Sequence, residues 1–191
     1  MKSPKPKPRC PWSESSELMM EYHDTEWGVP VHDDLLLFEY IVLDTFQAGL
    51  SWSTILNKRE NFRKAFDDFD YKKIARYNEK KIQKLLVDAG IIRNKLKIYG
   101  TVNNAQRFLD VQKEFGTFDK YIWQFTDYKV IKNKWNGQNK IPASTPHSDT
   151  MSKDLYARGF KFVGSTICYA FMQAAGIVND HIVGCHRHGK K

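Results

Sequence analysis

Little in this sequence suits a secreted, membrane-spanning or sheet-rich protein. Cysteine is scarce, three in 191 residues. That is too few for a disulfide framework, and no secretory apolar core follows the basic start, so a reducing cytoplasm is expected. The longest stretch without a charge, 162–179, approaches spanning length at roughly 18 residues. Gly164, Ser165, Thr166, Gln173 and Gly176 interrupt it, so it reads as a buried core helix and no membrane segment is expected. Alternation of apolar and polar residues is scarce, which argues against a sheet. No internal repeat is present.

Acidic residues are missing from both ends. Residues 1–9 carry Lys2, Lys5, Lys7 and Arg9 without an acid, and 187–191 carry Arg187, Lys190 and Lys191. Removing those seven charges from the net +8 leaves +1 for residues 10–186. Global charge therefore says little about a nucleic-acid partner. Its distribution says more: residues 72–97 hold nine Lys or Arg against Glu79 and Asp88. Such a block fits phosphates, and equally a solvated helix face. Pro4, Pro6 and Pro8 between lysines mark 1–9 as a disordered basic arm. Residues 10–186 read as one helical domain and 187–191 as a basic tail.

What is present is helical punctuation. Asp33-Asp34 precede an apolar run and predict a helix over about 35–47. Ser51 opens WSTILNKRENFRKAF, Asp70 caps a short helix to about Tyr77, and Asn78 opens EKKIQKLLVDA, which Gly90 stops. Asn94 starts a long helix to about Phe115, and FDKYIWQF, DTMSKDLYARG and VGSTICYAFMQAAG supply three more. Residues 129–147, rich in Lys, Asn, Pro and Ser, are the expected mobile loop. The fold class is all-α, one unit with two lobes.

Cys10 and His23 stand near one end, and His181 and Cys185, an H-x3-C pair, near the other. On a helix the latter pair shares a face. Two Cys and two His make a closed tetrahedral zinc set without an open catalytic position, a structural tie between the termini. Spacing alone leaves four unrelated terminal residues as the alternative. Cys168, inside an apolar helix, reads as core, and His186 and His188 as members of a flexible tail.

KKIQKLLVDAGIIRNKLKIYG reads as helix, Gly turn, helix. Ile91 and Ile92 anchor the turn, Gly90 permits close backbone approach, and the helix after Asn94 aims free N–H groups at an anion beside Arg93, Lys95 and Lys97. This is a helix-hairpin-helix grip on the DNA backbone, although Gly-ended helix pairs occur in any bundle. In LDTFQAGLSW, Asp44 sits in a nearly continuous apolar helix. A carboxylate there needs a protein partner or awaits a ligand with donors. Gly49 and Leu50 form a turn that could wedge into a duplex. Trp52 and Tyr22 could sandwich a flat base, or Trp52 could be ordinary core.

RCPW, YHDTEWG, QAGLSW, KRENFRKAF, DAGIIRNKLKI, RGFKFVGSTICYAFMQAAG and NDHIVGC, running in order from about Arg9 to Cys185, resemble the bacterial 3-methyladenine DNA glycosylase I family. The resemblance implies a helix-hairpin-helix glycosylase fold and a single structural zinc on Cys10, His23, His181 and Cys185. It implies Trp52 and Tyr22 in the base pocket and Gly49 and Leu50 at the intercalating turn. The partner is then double-stranded alkylated DNA and the product free 3-methyladenine, with no obligate protein partner and a monomeric enzyme. One position departs from the family pattern: Asp44 stands where Glu is usual, shortening the reach by about 1.5 Å, one carbon–carbon bond. Glu39, five residues earlier, faces elsewhere and is a poor replacement.

The implied activity is hydrolysis of the N-glycosidic bond of a flipped base, with Asp44 and Tyr22 as the catalytic pair. No general base and no Schiff-base lysine can be assigned, so strand cleavage is not expected. Two other readings stay open at this level: a damage-binding module of impaired or altered specificity because Glu has become Asp44, and a zinc hydrolase.

Overall fold

The computed structural model describes residues 8–190. Most of the expected basic arm, residues 1–7, and the last residue of the tail lie outside the described residues. Helix starts follow short polar caps. Ser16 accepts from the Met19 N–H to open α1 (Glu17–Thr25), a helix whose period the sequence did not announce. Asp33 opens α2 (Asp34–Gln47) and Ser51 opens α3 (Trp52–Leu56) in the same way. The single helix expected after Ser51 is two, because the chain breaks at Asn57-Lys58 before α4 (Arg59–Ala65). Asp70, Asn78 and Asn94 cap α5 (Tyr71–Ile74), α6 (Glu79–Val87) and α7 (Lys95–Phe115). Thr117 caps α8 (Phe118–Trp123), and Thr145 with Ser148 forms a capping box on α9 (Pro146–Ala157). Each cap satisfies an otherwise orphaned N–H and contributes about 1 kcal/mol. Among the ten α-helices of the described residues, α10 (Ser165–Ala174), preceded by Gly164, and α4 lack a side-chain cap.

Helix α2 is the axle of the fold. Every residue from Leu37 to Phe46 is buried, which is why its sequence is apolar all round rather than striped. Helices α3, α7, α8 and α10 pack around it. A second, smaller apolar cluster joins Cys10, Met19, Tyr22, Trp27, Leu56 and Cys185, and Trp52 packs against both clusters. The seam between them is where a cavity opens.

The expected mobile loop is tied down. Ile131–Lys132 forms a short parallel pair with Val178–Asn179. Beyond it, Asn133 and Trp135 donate to the buried Asp180 carboxylate at 2.7 and 2.8 Å. Lys and Asn composition signalled solvation, but one buried acceptor outweighs it. The tail is likewise held: His186 Nδ1 meets the Pro8 carbonyl and His188 Nδ1 the His181 carbonyl. Cys168 is core, as expected, with its thiol on the Val163 carbonyl. Among the described residues no helix is long and apolar enough to cross a membrane.

Candidate active site and metal centre

Two helical stripes face the cavity, which holds about 290 Å³, the small end of the range for ligand pockets. Asp44 and Gln47 are i and i+3 on α2, and Ala170, Gln173 and Ala174 are i, i+3 and i+4 on α10, so each set shares a face. Trp12, Tyr22, Trp27 and Trp52 supply an aromatic wall, and Gln138 and Ile141 reach over from the long loop. A cavity of this size with flat aromatic walls suits a single planar heterocycle.

Asp44 is 2% exposed, and its Oδ2 has no hydrogen-bond partner among the described residues. The partner within the protein that the sequence left open for this oxygen is not found among the described residues. Burial pushes its acid well above the usual carboxylate range, because a low-dielectric site disfavours the charged form. The Trp52 indole N–H, on the same wall, is also buried without an acceptor. Burial pushes the Tyr22 phenol up as well, leaving it a neutral donor.

The rings of Tyr22 and Trp52 lie 5.1 Å apart and tilted by 46°. A base sandwiched between parallel rings needs about 7 Å, two contact distances of roughly 3.5 Å, so the sandwich expected of this pair is corrected: the rings are adjoining walls. Trp12 and Trp27 were not singled out as pocket residues in the sequence. Trp12 stands two residues beyond Cys10 and Trp27 four beyond His23, a link to the metal ligands that could have flagged both. Glu39 is outside the pocket, paired with Arg59 at 2.5 Å and Arg63 at 2.8 Å, which bears out its dismissal.

The turn after α2 places Gly49 at φ +83° with open space around it, and leaves Leu50 41% exposed. In the hairpin between α6 and α7, Ile91 is buried and Arg93, Asn94 and Lys95 are exposed. Two hairpin residues are placed otherwise than expected. Gly90 has its N–H taken by Asp88 Oδ1 at 2.7 Å, and Asn61 fills the space beside it. Lys97 is buried, its ammonium on the carbonyls of Phe46 and Ala48. The Gly90 N–H and the Lys97 ammonium are thus both engaged within the protein; a lysine in the first turn of a helix looks exposed in sequence, and only tertiary packing turns it inward.

Cys10, His23, His181 and Cys185 come together as a buried group whose ligand atoms all lie within 4.8 Å of one another. His181 Nδ1 is 3.1 Å from His23 Nε2, and Cys185 Sγ is 3.4 and 3.6 Å from His23 Nε2 and His181 Nδ1. Tetrahedral bonds of 2.0–2.3 Å to N and S imply ligand–ligand edges of about 3.3–3.8 Å, close to this spacing, so the donors fit a metal ion. The outer nitrogens are already occupied: His23 Nδ1 meets Asp24 at 2.8 Å and His181 Nε2 the Trp27 carbonyl at 3.0 Å. That arrangement fixes which nitrogen faces inward. Burial holds the His181 imidazolium down at about 4, keeping the ring neutral as a ligand requires. The helical bite expected for His181 and Cys185 is not seen; both sit in the non-helical segment after the strand pair.

Comparison with known proteins matches this architecture. The sequence profile of the methyladenine glycosylase family covers residues 12–188. The DNA-3-methyladenine glycosylase 1 of Escherichia coli (strain K12) is 48% identical over 177 residues, 93% of this chain and 95% of its own. The DNA-3-methyladenine glycosylase of Haemophilus influenzae is 44% identical over 177 residues, 93% of this chain and 96% of its own. A crystal structure of 3-methyladenine DNA glycosylase I superposes with TM-score 0.92 at 48% identity, covering 95% of this chain and all of that one. The Staphylococcus aureus enzyme, described for its recognition of 3-methyladenine, gives TM-score 0.92 at 31% identity, covering 96% and 97%. With a matching profile over most of its length and a matching fold, the chain belongs to the methyladenine glycosylase family.

Proposed function

We propose that this glycosylase excises 3-methyladenine from alkylated double-stranded DNA by hydrolysing its N-glycosidic bond after flipping the base into the cavity. One observation carries the reading: a buried carboxylate without a partner, on the wall of a base-sized aromatic cavity. Buried polar groups are rarely left unpaired except where a ligand completes them.

Flipping costs a few kcal/mol and is least costly for damaged bases. Leu50 fills the gap in the stack, while Arg93, Lys95 and the free N–H groups at the start of α7 hold backbone phosphates. A methylated adenine nucleotide brings positive charge into the pocket. Opposite charge favours the ionised carboxylate, so Asp44 releases its proton to solvent water as the cationic nucleotide enters, and the carboxylate accepts from the exocyclic amine. Trp52 and Trp12 offer ring faces, and Tyr22 a neutral donor. The base already carries the charge that weakens its glycosidic bond, so the leaving group needs little acid assistance. Among the described residues no lysine lines the cavity, which supports a monofunctional enzyme. Zinc is the cation that the Cys2His2 donor set fits best; it would be held by Cys10, His23, His181 and Cys185 and would tie the ends of the chain. Four protein donors leave no position for a catalytic water, against the zinc-hydrolase reading. A binding-only module is not favoured either, since both relatives carry the name of a glycosylase. Three unpaired buried cysteines suit a reducing cytoplasm.

The test is to incubate purified protein with methylated DNA and identify the released bases. Free 3-methyladenine is expected. Release of 7-methylguanine without 3-methyladenine would overturn the substrate, and borohydride trapping of a covalent adduct would overturn the monofunctional mechanism.

A further inference from the structure

Asp180 is fully buried and is surrounded by donors. Asn133 Nδ2, Trp135 Nε1, the Tyr169 hydroxyl and Gln173 Nε2 all donate to it, the last at 2.7 Å. A carboxylate oxygen can only accept; the Trp135 indole N–H, which can only donate, sits on Oδ1, and the Tyr169 hydroxyl and the Gln173 amide sit on Oδ2. This decides the orientation of the Gln173 amide. Its NH2 end must face Asp180, and its carbonyl oxygen is therefore turned away.

No donor among the described residues reaches that oxygen. It is also absent from the buried atoms without partners, so it has accessible surface. The residue stands on the cavity-facing stripe of α10, one turn from Ala170 and next to Ala174. A carboxylate pulling on the NH2 end polarises the amide and strengthens its oxygen as an acceptor.

From this geometry we infer that Gln173, locked by Asp180, presents its carbonyl oxygen to the flipped base as a second acceptor beside Asp44, selecting purines with a 6-amino group over 6-oxo purines. The inference rests on the reading of the cavity as the base pocket. An exocyclic amine has two N–H bonds, one for each acceptor. A 6-oxo group would set a second acceptor against the Gln173 oxygen, which has no proton to offer, and leave both unpaired in a dry site, and such a mismatch is rejected more strongly than a missing methyl. Asp180 is the positioning residue: it does not touch the base but fixes the amide that does.

The experiment measures binding of free 3-methyladenine and of its 6-oxo counterpart, 3-methylhypoxanthine, by quenching of tryptophan fluorescence. It compares the full-length protein with Gln173→Met, a substitution of similar length and no acceptor of that kind. The preference for the amino base is expected to fall about tenfold, the scale of one neutral hydrogen bond. Equal weakening of both bases would make Gln173 a mere wall and overturn the inference. A second measurement needs no variant: the side-chain amide resonances of Gln173 should shift when 3-methyladenine binds and stay in place with 3-methylhypoxanthine. Identical shifts with both would also overturn it. If the unaltered protein binds neither base, the pocket reading itself falls, an outcome distinct from loss of preference in the variant.

Discussion

The Lys97 ammonium donates to the Ala48 carbonyl at 2.7 Å, binding the second helix of the hairpin to the turn that carries Leu50. A second bond, to the Phe46 carbonyl, is 3.0 Å. The reverse connection also exists: Lys58, just after α3, donates to the carbonyls of Ala89 and Gly90 in the hairpin, both at 3.2 Å. Two lysines thus tie the hairpin to the chain around α3: Lys97 reaches the carbonyls at the end of α2, and Lys58, at the α3–α4 junction, reaches back to the hairpin. The proposed phosphate grip and the proposed wedge are therefore joined by direct hydrogen bonds.

Lys97→Met is therefore expected to uncouple DNA binding from base extrusion. Two carbonyls lose their donor, at a stability cost of about 1–3 kcal/mol. Base release from duplex DNA should fall about 10- to 100-fold, because misplacing a wedge by an ångström is enough for that. Binding of free 3-methyladenine should change by less than about twofold, and Leu50→Ala should show the same pattern. A variant that loses free-base affinity in step with release would mean Lys97 supports the cavity rather than the wedge.

Salt dependence separates the basic residues by role. Arg93 and Lys95 are exposed at the start of α7, so removing both should lower the slope of log K against log salt by about 1.8, roughly 0.9 for each phosphate no longer neutralised. Lys97→Met should leave the slope as it is. A changed slope for Lys97→Met alone would return that ammonium to the DNA surface.

Asp44 should trade stability for function. Burial raises its acid, so the folded chain holds that proton more tightly than the unfolded chain does. The sign follows: the favourable contribution is fully present below the unfolded carboxylate value and is lost as pH rises through the folded one. Asp44→Asn removes the titration, so its stability relative to the parent should grow between pH 5 and pH 8, by up to about 1.4 kcal/mol per pH unit. Base release by the same variant should fall at least about tenfold. Denaturation curves at the two pH values decide the first point; a constant difference would show that Asp44 is not protonated in the empty pocket.

Much of this was legible from short-range chemistry. Asp33, Ser51, Asn78 and Asn94 announce their helices because a cap is a local hydrogen bond, and Asp44 stands out because an apolar helix makes a lone carboxylate costly. The metal group was visible as residue types but not as geometry, since 158 positions separate His23 from His181. What stayed hidden depended on one distant partner. Asp180 fixes residues 133–135 and Gln173, and the carbonyls at 46 and 48 draw Lys97 inward. Helix α1 was missed because its apolar face packs on the metal group and the cavity rather than on the main core, so YHDTEWG carries chemistry in place of periodicity.

That double use of α1 sets what metal removal should do. Trp12 and Trp27 line the cavity, and the metal group holds both: Cys10 anchors the turn bearing Trp12, and His181 Nε2 holds the Trp27 carbonyl. An ion held by these four residues would thus also support two aromatic walls. Chelation is expected to lower Tm and, below the melting transition, to weaken free-base binding about tenfold or more. Asp24→Asn, which removes the carboxylate orienting His23, should lower metal affinity about 10- to 100-fold while leaving the four donors in place. Metal content by mass spectrometry, Tm and tryptophan quenching should then move together. Stoichiometric loss of metal with an unchanged Tm would refute the tie, whereas a lowered Tm with unchanged quenching would confine the ion to holding the chain ends and free the tryptophan walls from its control.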